Sequence, residues 1–234
     1  MSAAKSAGGA VPPADNTPPG PAGARARHQP YITHRRPGST TALLRRWRDL
    51  KAIWFDHRLE PTFREELMVA VAAANSCRQC SFAHREWALA EGLPKEELAA
   101  LEGLDADFFD AHKWAAIAWV QAIAHSDFTA PPAEIDANFR REYTPQEQAD
   151  IQLVARTMYW MNEISNGVSI VVARFRGQPV PDGTRSIRLL EATVLFIIVA
   201  PGILIWLAFK QRRRPSSLFR DIPEFFRVFE ARQA

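Results

Sequence analysis

Apolar side chains recur along most of this chain at intervals of three and four residues, and no convincing alternation of period two is bounded by turn residues. That pattern predicts helices throughout and no sheet. The stretch STTALLRRWRDLKAIWFDHRL, from residue 39, sets Leu43, Leu44, Trp47, Leu50, Ile53 and Trp54 on one stripe with Arg45, Arg46, Arg48, Asp49 and Lys51 between them. It predicts an amphipathic helix packed on a domain, although its basic flank would also suit a membrane surface. Pro61 opens the next helix, where a missing backbone donor costs little, and residues 67–74 are so uniformly small and apolar that burial on most sides is expected. Asn75 and Ser76 interrupt the run, and a further helix is expected from about Cys77 to Glu91, stopped by Gly92. GLPKEELAALEG predicts a short connecting helix with Pro94 at its first position and Glu96 and Glu97 at its positive end. Amphipathic residues 108–125, a short helix over 133–141, and a long one over 146–174 introduced by Tyr143, Thr144 and Pro145 complete an all-α, compact multi-helix domain.

The flanks differ in kind. Residues 1–38 are rich in Pro, Gly, Ala and Arg with almost no large apolar side chain, so they cannot bury enough surface to offset their ordering entropy, and disorder is expected there. No apolar run of the secretory-signal type is present in them. The domain is expected over 39–178, followed by a linker at 179–188 that contains GQPVPDG. Residues 192–209 then run for eighteen positions without a charge. At the rise of an α-helix they would cover about 27 Å, close to the hydrocarbon thickness of a bilayer. A transmembrane helix over 189–209 is therefore expected, with a core helix of the same domain as the alternative, and a basic, aromatic tail over 210–234 at the membrane surface. Four Lys and Arg upstream against six downstream mildly favour a cytoplasmic tail, but moving a long folded domain across without a signal favours a cytoplasmic domain.

Composition narrows the function. With 47% hydrophobic and 24% charged residues in 234 positions, the chain can hold one ordinary globular domain plus appendages. The formal net charge of +3 comes from short separate basic clusters rather than a stripe with interleaved aromatics, which argues against nucleic acid. Only two cysteines occur, Cys77 and Cys80, and at three residues apart they cannot staple distant parts of a fold. Their use is local.

Cys80 and His84 are four apart and share one helical face, so an imidazole can approach the thiol. A free thiol has a pKa of about 8.5, and a neighbouring imidazolium or a helix N-terminus lowers it toward neutrality. Cys77, in the first turn, can reach Cys80 and close a disulfide. Glu65 or Glu66, one helix upstream, could orient His84 or hold a bridging water. Two thiolates and an imidazole are also plausible zinc ligands, but a closed site needs a fourth, and His57, His112 and His125 stand alone. Neither a metal nor a bound cofactor is expected.

Taken together, Glu65, AVAAANSC ending in Cys77, then Cys80, His84 and the downstream GLPKEELAAL resemble the alkylhydroperoxidase-like, or carboxymuconolactone decarboxylase-like, superfamily. The resemblance extends over about 40–178. It implies an all-α domain that assembles into homo-oligomers, and a thiol-dependent peroxidase or disulfide reductase. It further implies that Cys80 attacks the peroxide, Cys77 resolves the product as a disulfide, His84 activates the thiol, and Glu65 ends the proton relay. Glu65, rather than Glu66, stands at the family's twelve-residue interval before the first cysteine. Where the best-known hydroperoxidases of this type carry a second histidine between the cysteines, this chain has Gln79, a departure that leaves dithiol–disulfide exchange as the alternative activity. The decarboxylases proper lack the cysteine pair, so decarboxylation is not implied.

The expectation is thus a membrane-anchored thiol oxidoreductase that reduces a hydroperoxide and is regenerated by a thioredoxin-like or other dithiol donor. A non-catalytic membrane interaction module on the same helices is the reading from a different class.

Overall fold

The computed structural model describes the backbone of residues 40–103, 105–177 and 186–233. The N-terminal segment 1–38 and residues 179–185 of the expected linker lie outside them. All regular elements among the described residues are helical. In chain order they are α1 (Thr40–Arg45), α2 (Trp47–Trp54), α3 (Pro61–Ala74), α4 (Arg78–Glu91), α5 (Lys95–Gly103), a 3-10 turn (Ala106–Phe108), α6 (Ala111–His125), α7 (Ala133–Glu142), α8 (Pro145–Phe175), α9 (Ser186–Lys210) and α10 (Pro215–Gln233).

Local chemistry accounts for most of the boundaries. Pro61 is the first residue of α3, and the Glu60 side chain accepts from the backbone N–H groups of Thr62 and Phe63 at 3.1 and 2.7 Å. Gly92 ends α4 at φ +100°, a left-handed conformation that suits a residue without a Cβ. Thr144 and Glu147 form a reciprocal capping box at the start of α8, with Pro145 as its first residue. The single helix expected from residue 39 is divided instead: Arg46, at φ −99° and ψ 20°, falls between α1 and α2. Asp110 caps α6 by accepting from the Lys113 N–H at 2.7 Å, so that helix starts three residues later than its apolar period suggests.

α3 is the centre of the domain and packs against α4, α5, α6 and α8. Leu67, Met68, Val69, Ala70, Val71 and Ala72 are buried in succession, so no side of the helix faces water there. Full burial of a side chain such as Leu67 contributes roughly 1.5–3 kcal/mol. The core continues through Ile117 and Val120 of α6 and Ile151, Val154 and Met158 of α8.

The transmembrane expectation is corrected by the fold. Among the described residues no helix is long and apolar enough to cross a membrane, so the expected single-pass span is not supported. Part of the apolar end of α9 is used in protein packing, while Ile205, Trp206 and Phe209 stay exposed. Leu207 and Ala208 are fully buried with Leu218 of α10, and Trp87 and Ala90 of α4 close over them. The polar residues that follow are tied to the same helix: Lys210 pairs with Glu91 at 2.5 Å, and the Gln211 amide donates to the Glu86 carbonyl at 2.7 Å. The tail expected at a membrane surface is α10, whose Phe225 packs edge-on against Phe82 of α4 with ring centroids 5.4 Å apart.

One buried charge cluster lies beside the core. Glu66 of α3 is wholly buried, and Lys113 of α6 reaches its Oε1 at 3.0 Å and Glu97 of α5 at 2.6 Å. Burial, reinforced by the Glu97 carboxylate, pushes the Glu66 carboxyl up to about 8 against the pull of Lys113. Below the ordinary carboxyl range both folded and unfolded chains hold this proton. From there up to about 8 only the folded chain does, so the group's contribution to stability falls over that interval and is constant above it. Glu66→Gln, which cannot ionise, should therefore gain stability relative to wild type between pH 5 and pH 8, by on the order of 10 °C in Tm. Thermal unfolding at the two pH values measures this, and a difference independent of pH would exclude Glu66 as its source.

A candidate thiol active site on α3 and α4

The turn between α3 and α4 delivers the two cysteines. Ser76 adopts a left-handed conformation at φ +49°, and Cys77 follows as the N-cap of α4, its sulfur accepting from the Cys80 N–H at 3.4 Å. One helical turn brings the sulfurs together, and Cys77 and Cys80 are joined as a disulfide with Cα atoms 5.3 Å apart. Cys77 is fully enclosed, whereas Cys80 keeps 7% of its surface. The Cys80 sulfur lies 4.0 Å from the carbonyl oxygen of Met161 on α8.

His84 projects from the same face of α4 one turn further on and is buried. Its Nδ1 is 2.8 Å from Oε2 of Glu65. An ionised carboxylate only accepts, so Nδ1 carries the proton in that bond and Nε2 is the nitrogen left to exchange a proton with a thiol. The other oxygen of Glu65 accepts from Arg64 Nε at 3.0 Å and lies 2.9 Å from Arg64 Nη2. The Arg64 guanidinium also covers the Trp54 ring at 5.5 Å, which links α2 to the site. Glu65 and Glu66 are adjacent, but a step of 100° about α3 sends Glu66 to Lys113 and Glu97 instead. Glu65 alone of the two meets the histidine.

Gln79, the residue before Cys80, donates to the Ser169 hydroxyl on α8 at 2.5 Å, and its Oε1 is buried without a hydrogen-bond partner. The facing side of α8 presents Asn162, Ser165 and Ser169, all buried, and Asn162 Oδ1 and Ser165 Oγ also lack partners. These α8 residues do not emerge from motif reading, although polar positions spaced by three and four in an otherwise apolar helix are a signal of their kind. Arg64, Trp87 and Glu91 are missed for other reasons. Arg64 joins the site through Glu91 and Trp54, neighbours distant along the chain, whereas Trp87 stacks on the His84 ring at 5.9 Å and donates from Nε1 to Glu91 at 3.1 Å, contacts at three- and four-residue spacing within α4 that belong to no motif. His57, His112 and His125 take no part in this cluster. Among the described residues, no three His, Cys, Asp or Glu side chains are placed to hold a metal ion.

A disulfide closing a four-residue loop, with a histidine anchored by a buried carboxylate on the same helical face, is a candidate thiol–disulfide site. Residues 41–122 match the family described as the carboxymuconolactone decarboxylase family, which supports the alkylhydroperoxidase-like superfamily for the helical domain. The match contains Glu65, both cysteines and His84, and it ends within α6. No curated protein and no solved structure matches the chain.

The Glu65–His84 bond makes a graded expectation for the reduced protein. In a Cys77→Ser background, where Cys80 alone can react, Glu65→Gln should slow alkylation of Cys80 by iodoacetamide at pH 7 about tenfold, the equivalent of one pKa unit. Glu66→Gln should leave that rate unchanged.

Proposed function

We propose that this protein is a thiol-dependent oxidoreductase that reduces a hydroperoxide at Cys80 and returns to the dithiol at the expense of a thioredoxin-like or other dithiol donor. The observation that carries the reading is the joining of the Cys77–Cys80 disulfide to a histidine whose second nitrogen is held by a buried carboxylate. In the reduced state, His84 Nε2 takes the Cys80 proton and the thiolate attacks the terminal oxygen of the hydroperoxide. The O–O bond breaks, the alcohol leaves with the proton that His84 returns, and Cys80 becomes a sulfenic acid. The Cys77 thiol then displaces water from that sulfur and forms the disulfide. A dithiol donor reduces the disulfide and is itself oxidised, so one hydroperoxide and one dithiol yield alcohol, water and a donor disulfide. The greater exposure of Cys80 and its place one turn before His84 on α4 support it as the attacking sulfur.

One observation favours a narrower second reading. The side chain between the cysteines is Gln79, an amide that cannot exchange protons at neutral pH, and it is bound to Ser169. Dithiol–disulfide exchange needs no proton donor at that position.

The reduced full chain, offered cumene hydroperoxide, should consume one equivalent and form the Cys77–Cys80 disulfide. Cys80→Ser should lose this entirely, and His84→Ala should slow it by roughly 10²–10⁴, the usual weight of a general base. Consumption that survives in Cys80→Ser would reject the peroxidase reading. Failure to consume peroxide, with rapid reduction of the disulfide by thioredoxin, would leave the exchange reading.

A further inference from the structure

The last turns of α9 reach the proposed thiol site along two routes. Trp206 packs on Trp87 with ring centroids 4.7 Å apart, and Trp87 lies parallel to the His84 ring at 5.9 Å. Lys210, seated over the Trp206 ring at 5.2 Å, brings its ammonium 2.5 Å from Glu91 Oε1. That oxygen accepts from Trp87 Nε1 and lies 3.9 Å from Arg64 Nη2, which at the same time pairs with Glu65 at 2.9 Å. Lys210, Glu91, Arg64, Glu65 and His84 thus form a row of alternating charge, most of it shielded from water. Buried Leu207 and Ala208 fix the helix between the two contributing side chains.

We propose that Lys210 is a positioning residue for the thiol chemistry: by neutralising Glu91 it keeps Arg64 on Glu65 and so limits how firmly Glu65 holds His84 in its charged form. Without Lys210, Glu91 is an uncompensated carboxylate within reach of Arg64 and competes for it. Glu65 then acts on His84 with less of its charge offset, and the imidazolium is favoured. The charges are poorly screened because they are largely buried, so the effect crosses the three intervening residues. The groups that face His84 and its partners are Arg64 and Glu65 from α3, Glu91 and the cysteine pair from α4, and Lys210 from α9. Arg85, paired with Glu102 of α5, and Phe225 of α10 lie against the other side of α4, and the α8 residues at the site are uncharged. Glu86, which holds Arg213, is set off from this row. Lys210 lies outside the residues that match the family, so its role belongs to this chain's own C-terminal helices.

The inference rests on the reading of His84 as the activating base, but it can be tested without turnover. In the reduced full chain with isotope-labelled histidine rings, the His84 titration is followed by NMR and assigned with His84→Gln. Lys210→Met should raise its midpoint by about half a unit, the effect of one poorly screened charge at a distance. Lys210→Arg should restore it, and Arg213→Met, which removes the ion pair between the same segment and Glu86, should not move it. In a Glu91→Gln background, Lys210→Met should have no effect, because the competing charge is gone. Equal shifts in Lys210→Met and Arg213→Met, no shift in Lys210→Met, or a shift that persists with Glu91→Gln would each overturn the proposal. An absence of peroxide consumption in the wild type, with these shifts intact, would instead remove the proposed activity and leave the coupling standing.

Discussion

Three consecutive ionisable residues, Arg64, Glu65 and Glu66, are buried on α3, and the arrangement of the helices around them follows from the need to give each one polar partners. A charge taken out of water without a partner is costly enough to unfold a domain of marginal stability. Successive residues of a helix point in directions 100° apart, so the three cannot share a partner. Glu65 requires His84 and therefore α4. Glu66 requires Lys113 and Glu97, and therefore α6 and α5. Arg64 satisfies Glu65 while lying over Trp54, which draws in α2. The apolar faces supply the larger free energy of folding, but they would tolerate several packings, whereas the buried polar pairings select one.

The same constraint joins stability to chemistry. The Glu65 carboxylate that must be paired for α3 to be buried is the group that fixes the tautomer of His84. Cys77, which starts α4 as its cap, also supplies one half of the disulfide. Few residues at the site have a single purpose.

Much of this was legible in the residue pattern. Proline and capping residues mark the starts of α3 and α8, Gly92 marks the end of α4, and the three- and four-residue period marks the all-α class. Cys77, Cys80 and His84 could be grouped because they are close in sequence, and Glu65 could be separated from Glu66 only through an interval borrowed from a resemblance. What could not be read is what depends on neighbours distant along the chain. Arg64 looks like any charged residue near a helix start until Glu91 and Trp54 are in place. The apolar run at 192–209 has the composition of a bilayer span, but hydrophobicity does not say whether a side chain will meet lipid or protein. Leu207 and Ala208 meet Trp87 and Ala90. The break at Arg46 interrupts a stripe whose spacing on either side remains helical, so periodicity alone passes over it.

The disulfide loop spans the cap of α4, and this has a consequence for the two oxidation states. The Cys77 sulfur accepts from the Cys80 N–H, the interaction by which a side chain satisfies a free donor at a helix start. The free Cys77 sulfur keeps its lone pairs when the disulfide opens and can still accept this N–H. Opening the bond therefore need not loosen the first turn: the covalent link and the cap hold the same residues in register by different means. If the proposed cycle holds, the cap lets α4 open and close its disulfide without a new start to the helix, so the cost of changing oxidation state falls on the sulfurs more than on the backbone.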